Sequence, residues 1–327
     1  MKKNIVAITV TYNRTSTLAR CLQQLVSQSY PVDDIIIVDN HSSLEEQNTL
    51  RELVRKYASA SADRIPRIHT IWLKDNLGGA GGFEAGMRYV KDHLSPDYYW
   101  IMDDDAYPRD NCLETLIQNM DSLPDAGCVC PLIYGLDLQQ YQVHHHMLVS
   151  GLIRHIRPVS RHPEKLSAPC SIQANAFVGP LIKKEVVERL GVADGSLFIY
   201  GDDTEYTFRI SRHYGLYLIP SAMIDHQDAP TRDINMSAKG WWKEYYGTRN
   251  QFFMIRKTHP SVLLRYTAYA LLILRLLAVM IKSRIKGYPV LRDRLMLKAI
   301  RDGLHNRRGK TLDPGRYYSF LEEHHIT

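Results

Sequence analysis

The chain has 327 residues, of which 45% are hydrophobic and 23% charged, with a net charge of +6 and five cysteines. This balance excludes a disordered or disulfide-stapled chain and leaves one large domain or two modest ones with room for a full core. The charge is uneven: between Arg256 and Lys310, 14 Lys/Arg stand against two Asp/Glu, a local +12, so the rest of the chain sums to −6.

Cys21, Cys112, Cys128, Cys130 and Cys170 form no CxxC pair, which points to a reducing cytoplasm. Met1-Lys2-Lys3 leads into an apolar run too short for a signal-peptide core. That run, Ile5-Val6-Ala7-Ile8-Thr9-Val10-Thr11, is almost wholly apolar and β-branched, as in a strand buried on both faces of a parallel sheet. Asn13, Thr15 or Ser16 can cap a following helix that carries Leu18, Cys21, Leu22 and Leu25 on one face. A second strand, Ile35-Ile36-Ile37-Val38, ends at Asp39 and completes a right-handed βαβ unit. Ligands of open α/β sheets gather at the carboxyl ends of strands. Asp39 there can accept hydrogen bonds from a uracil or ribose, or can cap the helix that starts at Leu44.

A third strand, Arg67 to Trp72, precedes Asn76-Leu77-Gly78-Gly79-Ala80-Gly81-Gly82-Phe83. Four glycines in five positions predict a loop that approaches a ligand closely, with a helix starting near Phe83. It lacks the Gly-Lys-Ser/Thr ending of a Walker A loop, and Glu84 breaks the GxGxxG spacing.

Tyr98-Tyr99-Trp100-Ile101-Met102 then ends in Asp103-Asp104-Asp105, with Pro108 stopping the strand. Three adjacent carboxylates need a neutralising partner or water. On an extended chain Asp103 and Asp105 face one point and Asp104 another. A hard divalent cation such as Mg²⁺ or Mn²⁺, usually shared with substrate phosphates, fits that arrangement; a solvated acidic turn is the alternative.

Asn111 to Met120 reads as an amphipathic helix and Ala126 to Ile133 as a strand. The region Tyr134 to Pro169 has weak periodicity, and its His144-His145-His146 triplet is expected to be a solvated or loop cluster, because adjacent strand residues diverge. A strand over Gln173 to Ile182 and a helix over Lys183 to Leu190 capped by Gly191 follow. Gly201-Asp202-Asp203-Thr204-Glu205-Tyr206 forms a second acidic centre. Asp203 near a helix N-terminus, ionised by the dipole, suits either a general base or a plain cap. Ile219 to His226 is a further strand, and its terminal histidine can complete a mixed oxygen/nitrogen site or serve structurally. Trp241, Trp242 and Arg249 lie in an aromatic-dense stretch that suits sugar and phosphate contact, or else a helix pinning the C-terminal segment.

Taken in order, Thr9-Val10-Thr11-Tyr12-Asn13-Arg14, Val38-Asp39-Asn40, Asn76 to Phe83, Met102-Asp103-Asp104-Asp105 and Gly201 to Tyr206 resemble the family 2 glycosyltransferases. The doubled glycines and third aspartate look most like the galactofuranosyltransferases. The resemblance implies an α/β GT-A nucleotide-sugar-binding fold, a mixed and mostly parallel sheet flanked by helices, over residues 1–235. A C-terminal helical, basic segment over 236–327 completes the chain.

It further implies that Asp39, with Thr11, Asn13, Arg14, Asn76, Gly78, Gly79, Gly81, Gly82 and Asp104, binds a UDP-sugar donor. Asp103, Asp105 and His226 would hold Mn²⁺ or Mg²⁺, and Asp203, supported by Asp202, would be the base of an inverting transfer. Trp241, Trp242 and Arg249 are the acceptor candidates. The sequence departs from the family around the histidine: Asp225-His226-Gln227-Asp228 matches only at His226.

Ser261 to Met280 is strongly apolar, yet Arg265 and Arg275 leave only nine uncharged residues between them, short of the roughly 20 a spanning helix needs. Arg275, Lys282 and Lys286 share one helical side. The segment therefore reads as a helix lying in a membrane interface on the inner face of the plasma membrane, with packing on protein as the competing reading. Nucleic acid fits poorly, since leucines rather than exposed aromatics separate the basic residues. The expected function is transfer of a sugar, galactofuranose on this reading, from a UDP-sugar to a lipid-linked glycan acceptor. The alternatives are a rhamnosyl- or other hexosyltransferase and a non-catalytic carbohydrate-binding protein that keeps the fold. A homo-oligomer is compatible with all of these.

Overall fold

The computed structural model describes residues 2–58, 65–227 and 237–326. In chain order they form β1 (Ile5–Thr11), α1 (Thr15–Val26), β2 (Asp34–Asp39), α2 (Leu44–Ala58), β3 (Arg67–Trp72), α3 (Gly78–His93), β4 (Tyr98–Asp103), β5 (Ala106–Pro108), α4 (Cys112–Ser122), β6 (Ala126–Gly135), β7 (Gln140–Tyr141), β8 (His146–Ser150), β9 (His155–Pro158), β10 (Cys170–Ser171), β11 (Ala174–Asn175), β12 (Val178–Lys183), α5 (Lys184–Leu190), α6 (Asp202–Ser211) and β13 (Gly215–His226). The helices α7 (Trp241–Thr258), α8 (Val262–Ile285), α9 (Val290–Leu304) and α10 (Pro314–Glu323) follow. The chain divides into two compact units: Met1–Leu148 with Arg157–Gly195 and Asp203–Asp228, and Val149–Ile156 with Ser196–Asp202 and Ala229–Thr327. The boundary expected at residue 235 lies outside the described residues.

Among the described residues of the first unit, ten strands form one sheet whose main path runs β10-β13-β6-β12-β4-β1-β2-β3. β1 pairs in parallel with both β2 and β4, and β2 with β3, while β12 runs antiparallel to β4 and β6. The sheet is thus mixed and mostly parallel through its first half. Successive side chains of β1 enter opposite cores: Ile5 and Ala7 pack with Leu18, Leu22, Leu113 and Leu116 of α1 and α4, whereas Val6 and Ile8 pack with Phe83, Met87 and Val90 of α3. An almost continuous apolar strand is what burial on both faces requires.

The glycine stretch is not a loop, contrary to the sequence expectation. It forms the first turn of α3, which begins at Gly78 rather than near Phe83. The reason is packing. A Cβ at Gly82 would stand 2.4 Å from Val10 Cγ1, and one at Gly86 would stand 2.6 Å from Ile8 Cγ2. Side chains there would push the helix off β1, so the glycines let it lie close to the strand. Of the glycines in this stretch, Gly78 alone uses positive φ, at 72°, where the chain turns into the helix.

Other boundaries also shift. The strand expected over Gln173 to Ile182 is split into β11 and β12, and β13 starts earlier than Ile219, at Gly215. Asn13 does not cap α1; it takes a positive φ of 52° and accepts a hydrogen bond from the Ser43 amide through Oδ1 (2.8 Å). Gly191 ends α5 with φ of 78°, as expected of a helix-terminating glycine. All five cysteines are free.

The second unit is helical. Phe252 and Ile255 of α7, Ala268, Tyr269, Leu272 and Leu276 of α8, and Met296 and Ile300 of α9 form one core. Trp241, Trp242, Tyr245 and Tyr246 of α7 form another with Leu295, Ala299, Tyr317 and Leu321. Arg249 is wholly buried; it donates to the carbonyls of Leu197 (2.9 Å) and Gly309 (2.7 Å) and to Thr311 Oγ1 (2.7 Å). Trp242 Nε1 donates to Tyr318 Oη at 2.8 Å. The acceptor reading of Trp241, Trp242 and Arg249 therefore gives way to the packing alternative: side chains committed to a core and to internal carbonyls have no face left for a sugar.

α8 buries one face and leaves the other apolar and exposed, with Leu263 at 76%, Leu274 at 63%, Ile281 at 63% and Ile285 at 81% exposure. By length and composition alone its 24 residues would also suffice to cross a membrane.

Candidate active site

Sheet register brings the acidic residues together. Val10 pairs with Asp103 across β1 and β4, and Thr11 pairs with Asp39 across β1 and β2. All four positions therefore lie at the carboxyl edge of parallel strands, where α/β folds bind ligands. After Asp103 the chain turns and re-enters the sheet as β5, whose Ala106 pairs with His226 of β13. The Gln227 amide donates to the Asp105 carbonyl at 3.2 Å, and Arg109 holds Asp225 at 2.8 Å. The unfamiliar tetrapeptide around His226 is thus explained in part by its neighbours, which clamp β13 against the Asp103–Asp105 turn; Asp228 lies outside the described residues.

Among the described residues, Asp103, Asp105 and His226 each offer a ligand atom within 4.8 Å of the others, a group able to hold a metal ion. His226 Nε2 lies 3.2 Å from Asp105 Oδ1. Two carboxylate oxygens and an imidazole nitrogen make a hard, mixed donor set that suits Mn²⁺ or Mg²⁺. β4 ends at Asp103, so Asp104 and Asp105 lie in the turn that follows rather than on the extended chain the sequence reading assumed; Asp104 forms an ion pair with Arg14 Nη2, and Arg14 Nη1 donates to Asp105 Oδ2 at 2.9 Å. One guanidinium therefore holds two of the three aspartates.

Electrostatics separate the carboxylates. Burial, reinforced by the charge on Asp105, pushes Asp103 up to about 8. Burial also raises Asp104, to about 6, with Arg14 opposing the rise. Asp105 feels the same desolvation, but His226 and Arg14 outweigh it and hold its carboxyl below the usual range. Among the described residues one arginine, Arg14, pairs with this crowded acidic cluster, which leaves it short of positive charge. Among the described residues, the buried Asp39 Oδ1 at this edge has no hydrogen-bond partner, while Thr11 supports the Asp104 carboxyl. A buried oxygen without a partner beside an aspartate whose carboxyl is raised fits a site completed by a cation and a polar ligand.

The other donor candidates cluster beside β2. Asp39 is fully buried, and its Oδ2 accepts from the Ser42 amide (3.2 Å) and from Gln47 Nε2 (3.0 Å). It therefore orders the loop into α2 while its other oxygen stays unused. Asn40, which the sequence reading passed over as a site residue, ties this edge to the glycine turn. Its Oδ1 accepts from the Leu77 amide (2.9 Å), and its Nδ2 donates to the Gly78 carbonyl (3.0 Å) and to Asn76 Oδ1 (3.3 Å). Gly81 and Gly82 serve close helix packing, and a Cβ at Gly79 would meet nothing within 4 Å.

Asp202 and Asp203 open α6. Asp203 Oδ1 accepts from the Thr204 amide (2.5 Å) and from Thr204 Oγ1 (3.1 Å). The helix dipole was expected to keep Asp203 ionised; instead burial dominates and raises its carboxyl above the ordinary range, with the Thr204 bonds opposing. Thr207 Oγ1 donates to the Asp203 carbonyl at 2.6 Å and accepts from the Asn175 amide at 2.9 Å, so the first turn of α6 is anchored to β11.

The histidine triplet corrects another expectation. His145 and His146 are buried rather than solvated. His146 Nδ1 meets Asn175 Oδ1 at 2.7 Å, and His145 Nε2 meets Gln142 Oε1 at 2.6 Å. His145 ends a short helical turn at Val143–His145 and His146 opens β8, both pointing inward, while His144 between Val143 and His145 is exposed.

The sequence-family model "Glycosyl transferase family 2" matches residues 6–191, the stretch that carries β1 to α5 and all three adjacent aspartates. The chain belongs to glycosyltransferase family 2. This family 2 chain is 29% identical over 211 residues to the galactofuranosyltransferase GlfT1 of Mycolicibacterium smegmatis, a match covering 64% of this chain and 65% of that relative. It is 26% identical over 295 residues to the dTDP-rhamnosyl transferase RfbF of Shigella flexneri, covering 88% and 92%. The crystal structure of GalNAc-T7 with UDP, GalNAc and Mn²⁺ superposes with a TM-score of 0.56 at 17% identity, over 76% of this chain and 51% of that one. At that identity the likeness shows the shared GT-A fold.

Proposed function

We propose that the protein is a metal-dependent, inverting glycosyltransferase that moves galactofuranose from a UDP-sugar to a lipid-linked cell-surface glycan. The observation that carries this reading is the group Asp103, Asp105 and His226, gathered at the carboxyl edge of the sheet beside Arg14. A divalent cation held there supplies Lewis-acid stabilisation of the negative charge that grows on the departing diphosphate. Arg14, about half exposed and anchored by two aspartates, presents a fixed cation toward the same phosphates. Asp39 Oδ1 receives the uridine moiety, and the turn Asn76 to Gly79, fixed by Asn40, leaves the backbone open to the donor.

Asp203 accepts the proton of the incoming hydroxyl as it attacks the anomeric carbon from the face opposite the diphosphate, and Asp202 supports it. Burial raises the Asp203 carboxyl, which moves a base closer to working pH and strengthens its pull on an alcohol proton. The outward apolar face of α8 and the basic residues Arg275, Lys282 and Lys286 support peripheral contact with the inner face of an anionic membrane, where a lipid-linked acceptor would be met.

The galactofuranosyl donor rests on the GlfT1 likeness and the glycine-rich turn. The second reading, a dTDP-rhamnosyl donor, is favoured by a specific observation: the RfbF match runs through most of both chains. A panel of UDP- and dTDP-sugars offered with Mn²⁺ and a lipid-linked acceptor, read by nucleotide release, decides between them. UDP release from UDP-galactofuranose supports the first; dTDP release from dTDP-rhamnose replaces it with the second.

A further inference from the structure

We propose that a cavity in the second unit, between the segment Ile153 to Ile156 and the helices α7 and α8, receives the terminal phosphate of a membrane lipid. The inference rests on the membrane reading of α8 and deepens it, adding a headgroup-selective site to a surface that otherwise offers apolar and diffuse basic contact.

The cavity has a volume of about 160 Å³, and its polar lining is Arg154, His155, Gln251 and Arg275, with Ile153 and Ile156 beside them. Among the described residues no acidic side chain lines it. Two guanidiniums, an imidazole and an amide around one space are donors for phosphate oxygens, and the planar guanidinium fork meets two such oxygens at once.

Arg154 is set in place before any ligand arrives. It closes a turn at a positive φ of 54°, where its amide donates to the Gly151 carbonyl (3.3 Å). Its Nε donates to Thr258 Oγ1 (2.8 Å) and its Nη2 to the Thr258 carbonyl (3.0 Å). A non-glycine residue in that backbone region is held there by its surroundings, here by the end of α7.

Arg275 is the opposite case. It is exposed, and neither it nor the exposed His155 ring makes a hydrogen bond or ion pair among the described residues. At 3.6 residues per turn, Arg275, Lys282 and Lys286 fall within about 40° of one another around α8. They border the exposed apolar face that carries Leu271, Leu274, Ile281 and Ile285. A helix lying in an interface with its apolar face toward the acyl chains holds such a border at the level of the lipid phosphates. Of the three cations, Arg275 alone lines the cavity. The surplus of 14 Lys/Arg over two Asp/Glu between Arg256 and Lys310 complements an anionic surface. Ile156, 40% exposed, and Leu271 and Leu274 beside Arg275 supply apolar contact that a soluble phosphate could not use.

Flotation of the full chain tests the site. Phosphatidylcholine vesicles carry either phosphatidic acid, whose headgroup ends in a phosphate monoester, or phosphatidylserine, adjusted to the same surface potential. The unaltered protein is expected to prefer the phosphatidic acid vesicles by about 10-fold. Arg275→Gln and His155→Ala are each expected to abolish that preference. Lys282→Gln, on the same stripe but outside the cavity, is expected to weaken binding to both vesicles about 5-fold and to keep the preference.

Equal binding of the two vesicles by the unaltered protein overturns the proposal while membrane contact stands. So does a preference that survives Arg275→Gln; should that variant not fold, His155→Ala reads the same cavity. Binding to neither vesicle removes the membrane reading and the site with it. Millimolar inorganic phosphate at constant ionic strength is expected to leave the preference intact. If it erases the preference, the ligand is a soluble phosphate and the lipid assignment falls.

Discussion

His226 pairs with Ala106 across β13 and β5, and this register sets its imidazole 3.2 Å from the Asp105 carboxylate. Residues remote in sequence are thereby delivered to one point by strand pairing, not by a loop that would have to be ordered on ligand binding. Removing either partner should act on metal affinity before it acts on the fold. His226→Ala and Asp105→Ala are each expected to weaken Mn²⁺ binding by about 10–100-fold, measured by calorimetry, with the far-UV circular dichroism unchanged.

The pH response has two opposite signs. Burial lifts Asp103 to about 8 and Asp104 to about 6. The folded state therefore holds protons that the unfolded chain has already released. Without metal, stability contributed by these groups is present at low pH and is lost as pH rises from about 4 to about 8. Metal binding needs deprotonated ligands, so its affinity climbs over the same range and levels above about pH 8. Melting temperatures in EDTA and Mg²⁺ affinities, both taken across that range, should run in opposite directions.

The glycines of α3 divide by what surrounds them. Gly79 has open space where a Cβ would stand, whereas a Cβ at Gly82 would meet Val10 at 2.4 Å. Gly79→Ala is expected to leave stability unchanged or raise it by up to ~1 kcal/mol through helix propensity. Gly82→Ala should cost about 1–3 kcal/mol, because Val10 is a buried β-branched strand residue that cannot swing aside. Urea unfolding of the two variants checks the contrast.

Membrane contact predicts a selective loss. A double variant, Leu274→Glu with Ile281→Glu, places two charges on the exposed face of α8 and is expected to abolish flotation with anionic vesicles while UDP binding is kept. Vesicles without anionic lipid should retain the unaltered protein more weakly. Undiminished flotation of the double variant would remove α8 from the membrane reading.

The strands and the acidic turn were legible because apolar β-branched runs ending in charge have few other folded solutions. Asp103 and Asp105 do share one site, but through the turn that follows β4 and not through strand alternation, since β4 ends at Asp103. The glycine turn was misread for a physical reason: close helix–strand packing and ligand approach ask for the same residue, and only the neighbour, Val10, tells them apart. The contact between Gln142 and His226, 84 residues apart, could not be found by spacing, since no periodic pattern encodes it. Arg249 and the tryptophans illustrate the converse, since an aromatic and arginine-rich stretch has the composition of a sugar site and here fills a core.

The central claim is that one divalent cation sits among Asp103, Asp105 and His226 at the carboxyl edge of the sheet. Anomalous diffraction from a crystal containing Mn²⁺ and UDP measures this directly. A single strong manganese peak within coordinating distance of all three side chains, and touching the diphosphate, is the predicted result. A manganese peak held by other residues, or UDP bound at this edge with no metal beside it, would contradict the account.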